Sequence, residues 1–88
     1  MITIRKQEAA NWLLFDYQAT LHTLREKLRL FEQKYEQSWN AFEHKVKISE
    51  KEIFSQWDDY MEWKAYVKMS DEIEYKIEEV KHGHFEIE

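Results

Sequence analysis

The sequence lacks cysteine and proline altogether and has one glycine, Gly83, among its 88 residues. Without cysteine it can form no disulfide, no thiolate zinc site and no cysteine nucleophile. A single glycine near the C-terminus excludes a glycine-rich phosphate loop. No apolar run approaches the roughly 20 residues of a membrane span, and the N-terminus lacks the apolar core of a signal peptide. We therefore expect a cytoplasmic protein without a cofactor or a membrane partner.

Aromatic residues are abundant in this short and polar chain. Four Trp, five Tyr and five Phe make up 16% of the residues, although the mean hydropathy is −0.83. The formal net charge of −5 lies in residues 45–88, because residues 1–44 carry six basic and six acidic side chains. An acidic half repels phosphates and attracts basic surfaces. The composition argues against a nucleic-acid partner and favours a protein partner that shelters the surplus rings.

The absence of Pro and the single Gly favour an all-α fold, because these two residues are the strongest helix breakers. The first half of the chain has an unbroken heptad pattern. Its apolar residues recur at alternating steps of four and three and predict a helix over residues 5–37: Ala10, Leu14, Tyr17, Leu21, Leu24, Leu28, Phe31 and Tyr35. Residues 12–17 are apolar on more than one face, which fits either a denser internal core or a contact with a second chain. The predicted self-association surface consists of Trp12, Leu14, Phe15, Tyr17, Leu21, Leu24, Leu28 and Phe31.

Two further helices are predicted after a break near residues 36–40. Ser38 can cap a short helix over 39–47. The capping-box pattern S-x-x-E at residues 49–52 predicts the start of a last helix over 50–81, and Gly83 fits the left-handed position after its end. The tail, residues 83–88, alternates polar and apolar residues and reads either as a frayed terminus or as a partner anchor.

The apolar residues of the last helix fall on two different faces by helical spacing: Ile53, Trp57, Tyr60 and Val67 on one, and Trp63, Tyr66, Ile73, Ile77 and Val80 on the other. We expect its first part to pack in a hairpin and its second part to offer a further surface. The two long helices should run antiparallel because their connection is short. The expected architecture is a single domain, 1–88: a long, coiled-coil-like helical hairpin with a short connecting helix, which dimerises into a four-helix bundle.

Candidate chemistry is sparse in this sequence. Asp58, Asp59 and Glu62 lie on one helix and could bind a cation or transfer protons, but no positioned base or electrophile accompanies them. The single Glu79-x-x-His82 pair lacks the second copy that a carboxylate-bridged metal site needs. We therefore predict that the protein is not an enzyme, with no catalytic, metal or cofactor residues. A helical enzyme that uses the acidic residues is the minority alternative.

Three stretches carry a family resemblance: KYEQSWNAFEHKV at 34–46, WDDYMEWKAY at 57–66 and IEEVKHGHFEI at 77–87. They resemble small all-helical proteins of bacteria and archaea that are encoded beside a toxin-like gene and taken to be the antitoxins of toxin–antitoxin pairs. The resemblance covers about residues 30–88, and it implies a protein that works by binding and has no catalytic residues. This chain departs from the pattern at the first turn, where Glu36 or Gln37 stands in place of a frequent Gly.

The resulting expectation is an antitoxin-like inhibitor that neutralises a partner toxin by direct contact and forms a homodimer. Buried aromatic side chains dominate the energy of protein interfaces, and acidic ones would face a basic cleft of the partner. The predicted partner-binding residues are Asp58, Asp59, Tyr60, Glu62, Trp63, Tyr66, Tyr75, Phe85 and Ile87. The alternative is a structural coiled-coil adaptor that only oligomerises and has no toxin partner.

Overall fold

The structure, a computed structural model, describes residues 5–48 and 56–83. These residues form three helices, α1 (Lys6–Tyr35), α2 (Trp39–Ile48) and α3 (Trp57–Lys81), and they contain no strand. The predicted all-α class is confirmed. The molecule measures 61 × 20 × 19 Å, so it is longer than α1, whose 30 residues span about 45 Å, and it is about two helix diameters thick. None of the described helices combines the length and the apolar character that crossing a bilayer requires.

Helices α1 and α3 pack against each other in opposite directions. Arg25 Nη2 lies 3.3 Å from Glu74 Oε1, and Lys34 Nζ lies 2.6 Å from Asp59 Oδ2, so residues later in α1 meet residues earlier in α3. This arrangement fits the predicted hairpin. Leu21 and Leu24, in the middle of the heptad stripe, are buried, and its later members Leu28, Phe31 and Tyr35 pack against the core.

The prediction of two separate apolar faces on α3 is wrong. Its buried residues share one seam, with steps of three and four or their sum: Tyr60, Trp63, Ser70, Ile77 and Val80. Val67 packs on the core in the same register. Ser70 hides this register in the sequence because it is polar. It can occupy a buried position because its hydroxyl donates a hydrogen bond of 2.9 Å to the Val67 carbonyl within the helix.

The helix ends agree with the predicted caps where the structure describes them. The Ser38 hydroxyl accepts a hydrogen bond of 3.2 Å from the Ala41 amide at the start of α2, and Gly83 has a φ of 76° after the end of α3. Helix α1 ends at Tyr35 rather than at residue 37. The structure has α3 start at Trp57, with Gln56 in a turn before it. The predicted start near residue 50, with its capping box, lies outside the described residues.

Glu36 explains the earlier end of α1. It takes the left-handed conformation, with a φ of 54°, and its amide donates to the Glu32 carbonyl. This is the usual geometry of a helix C-terminus, in which glycine is favoured because a Cβ atom clashes with the backbone. The turn after α1, which has no glycine, therefore contains a residue with positive φ.

Replacing Glu36 with glycine should raise the free energy of unfolding by about 1 kcal/mol, because the left-handed conformation costs a residue with a Cβ atom about 1–2 kcal/mol and the freer unfolded chain offsets part of the gain. Urea unfolding followed by circular dichroism measures the change. The control is Gln33→Gly, three residues earlier in α1, which should lower stability by up to about 1 kcal/mol. Equal effects at the two positions would contradict the explanation.

Candidate functional site

Most of the aromatic rings in the described residues gather where α2 closes one end of the hairpin. Trp63 and Phe42 are fully buried there, with ring centroids 4.9 Å apart. The Trp63 ring stacks on Phe31 of α1 at 5.5 Å and meets Trp39 of α2 at 5.4 Å. Tyr60 completes the cluster through a stacked contact of 5.5 Å with Trp39. All three helices thus contribute rings to this aromatic core.

Tyr60 and Trp63 were predicted to anchor a partner, and the structure corrects this. Tyr60 is 6% exposed and Trp63 has no exposed surface. The cause is α2, which places Phe42 and Trp39 over the start of α3 and covers both side chains within the chain. Neither ring can contact a partner without unfolding this end of the molecule.

Asp59 has a structural contact rather than a free carboxylate. It accepts hydrogen bonds from Lys34 Nζ at 2.6 Å and from the Tyr35 hydroxyl, which joins the end of α1 to the start of α3. The bonds from Lys34 and Tyr35 lower the pKa of Asp59 below its ordinary value. Burial, with the hydrogen bond and the negative charge of Asp59, raises the pKa of Tyr35 to about 12. Asp59 is therefore committed to the fold, contrary to its predicted role as a partner contact.

Glu62 and Tyr66 form another internal pair among the predicted partner-binding residues. The Tyr66 hydroxyl donates to Glu62 Oε1 at 2.9 Å, and Lys27 Nζ lies 5.3 Å from the centre of the Tyr66 ring. Tyr66 is half-buried against Phe31, whereas Glu62 and the neighbouring Asp58 are exposed. Asp58 and Glu62 are accessible to a partner, and Tyr66 is accessible only in part.

Tyr75 is the predicted anchor that the structure leaves most accessible, with 66% of its surface exposed. Four acidic side chains lie three or four positions away along α3, where they are its neighbours on the helix surface. They are Asp71, Glu72, Glu78 and Glu79. Glu78 Oε1 lies 3.9 Å from Lys81 Nζ, and its Oε2 lies 3.6 Å from His82 Nε2. We call Tyr75 and its four acidic neighbours the Tyr75 surface.

The predicted self-association residues divide into two groups. Leu21 and Leu24 are buried, and four others are half-buried: Leu14, Tyr17, Leu28 and Phe31. Trp12 and Phe15 instead are 64% and 78% exposed. By helical spacing they lie roughly opposite the heptad stripe. They are exposed because α3 packs against the stripe and not against their side of α1. Six of the eight predicted residues are thus used within the hairpin.

Several exposed apolar residues were not singled out in the sequence. Ile48 ends α2, and Met61 and Met69 lie on α3, with about half or more of each surface exposed. Residue type alone does not separate them from their buried apolar neighbours, so only the direction of each side chain relative to the hairpin shows that it is uncovered. Phe85 and Ile87, predicted to extend the partner contact, lie outside the described residues.

Within residues 5–48 and 56–83, no three His, Asp or Glu side chains lie close enough together to hold a metal ion. Comparison with known protein families, with curated proteins and with solved structures finds no match. Function therefore has to be inferred from the chain's own surfaces. Those surfaces are the Tyr75 surface on α3 and the exposed pair of rings on α1.

Proposed function

We propose that the protein is a non-enzymatic binding module that acts as an antitoxin-like inhibitor of a basic partner protein in the cytoplasm. The observation that carries the proposal is the exposure of Tyr75 among four acidic side chains of α3, of which Asp71, Glu72 and Glu78 are exposed. A tyrosine with two side-chain torsions can be buried at an interface at low entropic cost. Arginine or lysine of the partner would contact both its ring and the acidic side chains around it.

Charge supports α3 as the docking helix. It has eight acidic against four basic side chains, a net charge of −4. Such a helix attracts a positively charged surface and speeds the encounter, most strongly at low ionic strength. In this proposal the hairpin inhibits by occupying the partner's basic cleft, and the aromatic core keeps α3 rigid while it does so. The inhibitor needs no chemistry of its own.

The rival function is a structural adaptor that forms a homodimer and binds no toxin. The observation in its favour is the pair Trp12 and Phe15, which expose two rings on α1, away from α3. Both functions are compatible with self-association. They differ in the Tyr75 surface, which an adaptor would leave without a partner.

The test uses the protein encoded by the gene adjacent to the one for this chain. It combines co-purification of the two proteins with measurement of their association rate. We expect a stable complex whose association slows at least tenfold in the variant Asp71→Lys/Glu72→Lys, because two attractions become repulsions. Tyr75→Ala should weaken the complex by a factor of about 30 or more, the effect of losing an interface hot spot of about 2 kcal/mol.

The matched control is Asp16→Lys/Glu32→Lys, which makes the same change in net charge with exposed residues of α1. It should leave the association rate within about threefold, because these residues lie off the α3 surface and salt screens distant charges. Failure of the two folded proteins to co-purify would refute the proposal. Equal slowing in the two charge variants would show that net charge alone governs the encounter.

A further inference from the structure

Trp12 and Phe15 are the two most prominent rings on the outside of α1. They lie three positions apart, so they share one face of the helix. Phe15 is 78% exposed, more than any other large apolar residue of the described chain. Two adjacent rings left in water on a rigid helix are typical of a surface that another molecule covers.

The charge around these rings favours a second copy over the basic partner of α3. Residues 5–21 contain two basic and two acidic side chains, so this end of α1 is neutral overall. Two neutral faces can meet without repulsion, whereas two α3 helices with a net charge of −4 each would repel. A compact four-helix bundle would bring the acidic helices together. Contact through α1 alone keeps them apart.

We infer that two copies of this chain dock through the outside of α1, with the two-fold axis between Trp12 and Phe15. An isologous contact of this kind pairs each Trp12 with the partner's Phe15, and the two α1 helices cross in opposite directions. The α3 helices lie on the two outer sides of the dimer. At 8–10 Å between packed helices they are roughly 25–30 Å apart, well beyond a Debye length of about 8 Å.

The exposed area fits a specific dimer contact. At roughly 150–250 Å² for each aromatic side chain, the exposed fractions of four rings amount to roughly 400–700 Å² of apolar surface. A specific interface starts at about 1,200 Å² of total buried surface. The rings supply up to about half of that, and the helix turns that flank them are available for the rest. This surface gives the homodimer expected from the sequence a specific contact, and it does not depend on the partner of α3.

The oligomeric state tests the surface. Sedimentation equilibrium of the full chain, from micromolar to millimolar concentration, should give twice the mass of 11.0 kDa. Phe15→Glu should keep the helical circular dichroism and reduce the mass to that of one chain. Leu30→Glu is the matched control, since Leu30 is 64% exposed on the same helix but about four turns from Phe15. It should leave the dimer intact.

The orientation is testable because the chain has no cysteine of its own. The proposed axis places Glu8 of one copy opposite the partner's Ala19. A mixture of the single variants Glu8→Cys and Ala19→Cys should therefore oxidise to the mixed dimer in preference to either symmetric one. Preferential Ala19→Cys homodimers would overturn the antiparallel arrangement.

Two results would overturn the docking surface itself: a wild-type chain that stays monomeric at every concentration, or a Leu30→Glu variant as monomeric as Phe15→Glu. Failure of this inference is distinguishable from failure of the proposed function. Tyr75→Ala should keep the dimer mass, and Phe15→Glu should still bind the partner of α3.

Discussion

Replacing Trp63 with alanine should lower the free energy of unfolding by about 3–5 kcal/mol, which is the usual cost of deleting a fully buried aromatic side chain. Trp63 has no exposed surface and contacts rings from both other helices. A domain of this size has about 4–13 kcal/mol of stability in all. We expect the midpoint of thermal unfolding, followed by circular dichroism, to fall by roughly 12 °C or more.

The matched control is Trp57→Ala, six positions earlier on α3. Trp57 is 46% exposed and starts the helix, so its loss should cost about 1 kcal/mol or less. Trp63→Phe gives a second comparison. It keeps an aromatic ring against Phe31 and removes an indole Nε1 that has no hydrogen-bond partner within the described residues. It should cost less than half as much as alanine. Similar losses for Trp57→Ala and Trp63→Ala would contradict the aromatic core.

The role of Trp63 could not be read from the sequence because helix α2 decides it. Phe42 and Val46 are four positions apart and therefore share one face of α2, and both are buried. This spacing did not show that the face lies over Trp63 and Tyr60, because contacts between helices depend on the turn at Glu36 and on the direction of α2. Consequently, fewer aromatic side chains remain exposed for a partner than the composition suggests.

Helix α1 was predictable because its stripe is apolar at each step, so that periodicity alone identifies the face toward α3. Helix α3 was not, because Ser70 interrupts its seam and exposed Met61, Met69 and Tyr75 add apolar residues elsewhere. Of the predicted partner residues, Tyr75, Asp58 and Glu62 are accessible, whereas Asp59 is held by hydrogen bonds within the fold. Exposure depends on tertiary packing, which a residue-type pattern does not contain.

Replacing Asp59 with alanine should lower the free energy of unfolding by about 1–3 kcal/mol at neutral pH, since it leaves the half-buried Tyr35 hydroxyl without its acceptor. Lys34 contributes less to this figure, because its side chain is 60% exposed and exposed ion pairs are weak. Asp59→Asn keeps an acceptor for Tyr35 and should cost less than Asp59→Ala. Urea unfolding of the three proteins at one concentration measures the differences.

The same contact predicts a pH dependence at both ends of the scale. The pKa of Asp59 is lower in the folded chain than its ordinary 3.8, so its contribution is complete above that value and is lost as the pH falls through the folded pKa. The pKa of Tyr35 is raised from 10.0 to about 12, so its contribution is lost as the pH rises over that interval. The stability gap between the wild type and Asp59→Ala should shrink in acid, and Tyr35→Phe should flatten the alkaline decline.

Asp58→Asn is the control for the loss of stability at low pH. It neutralises the adjacent, exposed carboxylate and should change the free energy of unfolding by less than about 0.5 kcal/mol at any pH. An equal acid response in Asp58→Asn and Asp59→Asn would show that general charge, and not the contact with Tyr35 and Lys34, sets the pH dependence. A gap that grows toward low pH would contradict the lowered pKa of Asp59, since a protonated carboxyl cannot accept both bonds as a carboxylate does.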